Sequence, residues 1–246
     1  MKLRLLFMLL FVLGPAAADT VHVAVASNFT VPLRLLAASF EEQSGHQIKI
    51  SAASTGKLYA QIKHGAPYHL FLAADQARPE RLVQDGLAIA DSRFTYALGR
   101  LVLWAPGERF DGSADELMAK VDVRRFAIAN PKTAPYGVAA QQTLEEIGQL
   151  TKLRGRLVRG ENIAQTFQFV ASGAAEMGLV ALAQLSGENA LTGYHWVVPQ
   201  EMYEPIRQEA VLLKRGEDNL AAKAFLHHLR STEARALIVE QGYGLE

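Results

Sequence analysis

The sequence predicts two α/β lobes facing each other across a cleft, each a mostly parallel sheet covered by helices on both faces. Three observations predict this. One unit, an apolar strand that runs into a short polar turn opening an amphipathic helix, occurs four times. The four copies fall into two pairs, around residues 21–64 and 126–171. Each turn follows the carboxyl end of its strand, the end at which open α/β sheets bind ligands.

The first residues stand outside this pattern. Lys2 and Arg4 give a positive start, residues 5–13 an apolar run, and Ala16, Ala17 and Ala18 a small-residue cleavage signal. That order is a secretory signal peptide, here 1–18, and its apolar run is too short for a permanent anchor. The chain contains no Cys to carry a lipid, so an exported, soluble mature chain beginning near Asp19 is expected.

In the first copy, "VHVAVASNFTVPLRLLAASFEEQSG", Val21, Val23 and Val25 alternate as a strand and Ser27-Asn28 make the turn. Leu33, Leu36, Ala37 and Phe40 follow helical spacing, Pro32 sits in the first turn and Gly45 marks the stop. The second copy runs from Ile48 and Ile50 through Ser54-Thr55-Gly56 to a helix with Leu58 and Ile62 on one face. In the third, a strand at Phe126–Ala129 meets a turn through residues 130–136, and Ala140, Leu144 and Ile147 form the helical face. The fourth has its turn at Gly160-Glu161-Asn162, with Ile163, Phe167 and Val170 on the helix.

Composition narrows the function. Removing Lys2 and Arg4 from 25 basic residues leaves 23 against 25 acidic, a net charge of −2. This gives no footing for a nucleic-acid or membrane-surface partner. With no Cys, thiol chemistry, disulfides and Cys-based metal sites are excluded.

The turns are suited to anions. A helix start presents N–H groups without intrahelical partners, and the helix dipole adds partial positive charge there. Ser27, Asn28, Ser54 and Asn162 are candidate donors in matching positions, or else caps of their own helices. A nucleotide-phosphate loop does not fit: Ser51 stands five before Gly56 where a glycine is needed, and Leu58 follows Lys57 where a hydroxyl belongs. Lys57 therefore reads as a solvated residue. Asp75 reads as a helix cap, Asp91 as a turn residue, and Glu161 as pointing to solvent, since a carboxylate beside an anion is unfavourable. His227 and His228 are adjacent and diverge on a helix, and no nucleophile elbow or paired-His metal spacing occurs.

These turns lie within "VAVASNF", "STGKLYAQIKHGAPYHLFLAAD", "SRFTYALGRLVLW", "IANPKTAPYGVAAQQTLE", "GENIAQTFQFVASGAAEMGLVAL" and "YEPIRQEAVLL". Through them the whole mature chain resembles the periplasmic molybdate-binding proteins, the substrate-capturing components of molybdate ABC transporters. The resemblance implies a two-lobed periplasmic-binding-protein fold whose chain crosses between lobes twice, near 101–104 and 203–207. Lobe 1 would then comprise 19–101 with 208–246, and lobe 2 residues 102–207. It implies an oxyanion site formed by Ser27 and Asn28, by Ser54, and by backbone N–H groups at Tyr136 and Ile163, with molybdenum held only as the oxyanion. Two positions depart from the family pattern. Ala181 stands where the better-known branch has a ligand-site Tyr, which places this chain closer to the branch with Asn after the first Ser/Thr. His69 replaces a frequent Asp or Asn, with no function attached to it.

The expectation is thus a monomeric periplasmic receptor, not an enzyme. It takes molybdate and tungstate, needs no cofactor, and hands its ligand to a membrane permease. The rival within the class is a receptor for sulfate or another oxyanion. From other classes come an exported serine hydrolase using Ser54, for which no base is in evidence, and an exported regulatory or adhesion module without ligand.

Overall fold

The computed structural model describes residues 18–107, 113, 114, 116, 118, 123–185 and 193–246. The expected signal peptide, apart from Ala18, lies outside them.

The first lobe is a five-stranded sheet in the order β2-β1-β3-β10-β4, from β1 (Thr20–Ala26), β2 (Gln47–Ala53), β3 (Leu70–Ala73), β4 (Phe94–Gly99) and β10 (Ile206–Leu212). The second has the order β7-β6-β8-β5-β9, from β5 (Leu101–Ala105), β6 (Phe126–Ala129), β7 (Leu157–Gly160), β8 (Met177–Ala181) and β9 (Tyr194–Val197). In each sheet four strands share one direction and a single strand runs against them. The exception is β10 in the first lobe and β5 in the second. Both are the strands by which the chain enters from the other lobe. The parallel strands all end at the cleft, so a chain arriving at the cleft can only run away from it.

Helices cover both faces, because the strands are apolar on both sides. In the first lobe α1 (Thr30–Ser44), α7 (Leu220–His228) and α8 (Thr232–Glu240) cover one face, while α2 (Thr55–Lys63) and α3 (Ala77–Gln84) cover the other. The expected α1 stripe, Leu33, Leu36, Ala37 and Phe40, is buried, and Phe40 meets Phe225 of α7 with ring centroids 5.0 Å apart. In the second lobe α4 (Pro135–Glu146), the short α5 (Leu150–Leu153) and α6 (Ile163–Ala171) do the same. Phe167 of α6 stacks on Trp104 of β5 at 5.2 Å. Burying each such Leu or Phe side chain stabilises the lobe by about 1.5–3 kcal/mol.

Strand pairing bounds the two crossings. Residues 101–104 belong wholly to β5, paired with β8 and β9, so the first crossing is at Arg100. Ile206 and Arg207 already pair with β4, so the return occupies 198–205.

Candidate anion-binding site

Four helix starts converge at the seam. Strand β1 ends in the short 3-10 turn Ser27–Phe29 before α1, and β2 runs into α2. From the other lobe come the starts of α4 and α6. Together they line one small cavity that includes the five residues expected from the sequence, Ser27, Asn28, Ser54, Tyr136 and Ile163. Asn28, Ser54, Tyr136 and Ile163 are at most 5% exposed. The cavity is small, and its lining is drawn from both lobes. Every residue lining it is uncharged.

Local chemistry sets which polar groups of the cavity wall are already engaged. Ser54 caps α2, its Oγ accepting from Lys57 N–H at 3.4 Å, and Gly56 N–H is bound to Thr133 O. Asn162 caps α6 through its Oδ1, which accepts from Gln165 N–H at 3.0 Å. The capping reading thus holds for Ser54 and Asn162 and not for Ser27, whose Oγ accepts from Ala164 N–H of the opposite lobe at 3.4 Å. With their oxygens accepting from backbone N–H groups, the Ser27 and Ser54 hydroxyls keep their single proton to donate. In α4, Pro135 takes the first helical position and has no N–H, so Tyr136 carries the helix's first donor. Ile163 holds the corresponding place in α6.

Asn28 differs from its expected role in one respect. Its side-chain nitrogen donates to Gln208 Oε1 at 2.7 Å and to Tyr243 Oη at 3.1 Å, which engages both amide hydrogens. Asn28 can therefore offer the cavity its backbone, not its amide nitrogen. The buried phenols of Tyr96, Tyr136 and Tyr243 all have their pKa raised by burial and stay neutral.

Sequence reasoning passed over Thr55, Gln208 and Tyr243. Thr55 lines the cavity and ties it to β3, its Oγ1 accepting from Ala74 N–H at 3.1 Å. It lay in plain view within the turn. Gln208 and Tyr243 carry no local signal. Lys57 and Glu161 are exposed, as expected, and Asp75 Oδ1 caps α3 by accepting from Arg78 N–H.

Two α/β lobes that close over a donor-lined cavity define a solute-binding protein, a class that encloses its ligand between lobes. The chain belongs to the bacterial extracellular solute-binding proteins, whose family model matches residues 21–244. It is 47% identical over 232 residues to the molybdate-binding protein ModA of Azotobacter vinelandii, covering 94% of this chain and 92% of that protein. To ModA of Rhodobacter capsulatus it is 44% identical, covering 94% and 91%. The solved Azotobacter vinelandii periplasmic molybdate-binding protein superposes with a TM-score of 0.87 at 41% identity, covering 92% of this chain and 99% of that one.

Proposed function

We propose that this chain is a periplasmic receptor that closes its lobes around molybdate or tungstate and delivers the ion to the permease of an ABC transporter. One observation carries the reading: helix starts from both lobes converge on a small cavity lined by uncharged residues. The relatives named as molybdate-binding proteins support the choice of ion.

Recognition proceeds through fixed dipoles. The Ser27 and Ser54 hydroxyls, with backbone N–H groups at Asn28, Tyr136 and Ile163, converge on the dianion, and helix dipoles supply the positive potential. Such dipoles are oriented before the ion arrives, whereas a buried Lys or Arg would carry a large desolvation cost. Sulfate, being smaller, reaches fewer donors at once, and each unpaired buried N–H costs about 1–3 kcal/mol. Hydrogen phosphate brings a proton to a cavity of donors, where no acceptor awaits it.

The lobes, 19–99 with 206–246 and 101–197, act as two bodies that bend at the crossings, and closure lets the permease distinguish loaded from empty receptor. The signal peptide directs a monomeric mature chain to the periplasm. Calorimetry of that chain against molybdate, tungstate, sulfate and phosphate tests the reading. Tight binding of molybdate and tungstate is expected. A preference for sulfate would reassign the ligand, and no heat from any oxyanion would overturn the receptor function.

A further inference from the structure

We propose that Gln208 is a positioning residue that couples closing of the lobes to the shape of the ion site. The inference rests on the receptor reading and adds to it a residue that touches no ligand.

Gln208 lies in β10, two residues into the strand by which the chain returns to the first lobe, and is 0% exposed. The pairing of β10 with β4 slips here: Gln208 faces Ala97 and Glu209 faces Thr95, so Tyr96 is the extra residue of a bulge. A bulge re-aims side chains. The Tyr96 hydroxyl comes to 3.0 Å from Gln208 Oε1, the same oxygen that accepts from Asn28 at 2.7 Å. Asn28 is held from a second side by Tyr243, whose hydroxyl donates to Asn28 O at 2.8 Å. Tyr243 is brought there by the chain's last residues, where Leu98 and Gly244 exchange backbone hydrogen bonds. The backbone of a cavity residue is thus clamped by a polar network inside the first lobe.

The other end of Gln208 crosses the seam. Its Nε2 donates to the Tyr136 hydroxyl at 3.4 Å, and Tyr136 belongs to α4 of the second lobe. Tyr136 also lines the cavity and carries the first N–H of α4, so in the proposed site it meets the ion with its main chain while its side chain meets Gln208. The phenol packs against the last residue of β4, where a Cβ on Gly99 would collide with the Tyr136 hydroxyl. A buried amide with every polar atom engaged is costly to disturb. When the lobes part, Gln208 Nε2 loses its phenol partner while Oε1 keeps Asn28 and Tyr96. The bond across the seam therefore favours the closed state alone, and it does so through the residue that holds Asn28 in register with the ion.

The test is a double-mutant cycle of Tyr136→Phe and Gln208→Met, read in molybdate association and dissociation rates and in the melting temperature without ligand. Tyr136→Phe keeps the backbone donor and removes only the bond to Gln208. Dissociation is expected to quicken roughly three- to tenfold, the worth of one neutral hydrogen bond, with association unchanged. In Gln208→Met the further loss of Tyr136's hydroxyl should have no effect on dissociation, while in the ligand-free melting temperature the two changes should act independently. A purely structural role would instead couple the pair in the ligand-free melting temperature. That result, or additive effects on dissociation, or an unchanged dissociation rate in Tyr136→Phe, overturns the proposal. If Gln208→Met does not fold, the dissociation rate of Tyr136→Phe decides alone. Wild type that binds no oxyanion removes the receptor reading, and this proposal with it.

Discussion

The backbone N–H of Gly56 donates to the carbonyl oxygen of Thr133 at 2.9 Å, across the seam between the two lobes. The turn that superficially resembles a nucleotide-phosphate loop thus uses its glycine to join two backbones. A Cβ on Gly56 would lie 3.1 Å from both Cα and O of Thr133 and 3.2 Å from Nη2 of Arg78.

Gly56→Ala should therefore separate stability from binding. Within a helix the change favours the unliganded fold by up to about 1 kcal/mol, since Ala loses less backbone freedom than Gly. Crowding the closed seam should cost molybdate affinity, within the roughly 1–3 kcal/mol typical of overpacking. Melting and calorimetry on the same sample check both signs. Equal affinity in variant and wild type would mean that the seam opens when the ion is bound.

Ser54→Ala is expected to weaken molybdate binding by about 1.5–3 kcal/mol, the range for a hydrogen bond to a charged group. Lys57→Ala, at an exposed position, should change it by less than about 0.5 kcal/mol. Titration of both variants distinguishes recognition by dipoles from recognition by a point charge, which would reverse the order.

Micromolar molybdate should raise the melting temperature near neutral pH, because a ligand that binds the folded state alone stabilises it by mass action. Sulfate and phosphate at a hundredfold excess should do far less. An equal rise with sulfate would contradict the size argument.

The response to acid follows from two histidines. Burial, then His22 and Arg215, lowers the pKa of His69, and burial outweighs Glu233 in lowering that of His228. The unfolded chain consequently takes up these protons first as pH falls. The stability they contribute is whole above about 6.5, the unfolded value, and is lost as pH drops toward the folded values. Melting temperature should decline below about pH 6.5, and less steeply in His69→Asn, whose Oδ1 can accept from His22 N–H as Nδ1 does at 3.2 Å. A variant that loses stability as steeply as wild type would remove His69 from this account.

Scattering tests the motion. Ser27, Asn28 and Ser54 belong to one lobe, Tyr136 and Ile163 to the other, so neither alone surrounds an ion. Ligand drives closure only through contacts made in the closed state. The radius of gyration should fall on adding molybdate, and an unchanged value would mean that the empty receptor is already closed.

Much of this protein is determined locally and could be read from its sequence. Alternation at Val21, Val23 and Val25, the 3.6-residue stripe of α1, and the capping residues Ser54 and Asn162 depend on neighbours a few positions away. So does the placement of all four turns at strand ends. The family motifs extended that reading to the five cavity residues. Tertiary structure alone decided where Asn28 points, because its partners Gln208 and Tyr243 lie 180 and 215 residues further along. It decided that Ser27 meets Ala164, 137 residues away, instead of capping its own helix. It also decided that β5 and β10 run against their neighbours, through the direction from which each enters its lobe. Periodicity and capping are set by the backbone's own geometry within one turn. A hydrogen bond between distant residues depends on how two sheets are stacked, and no short stretch of sequence carries that information.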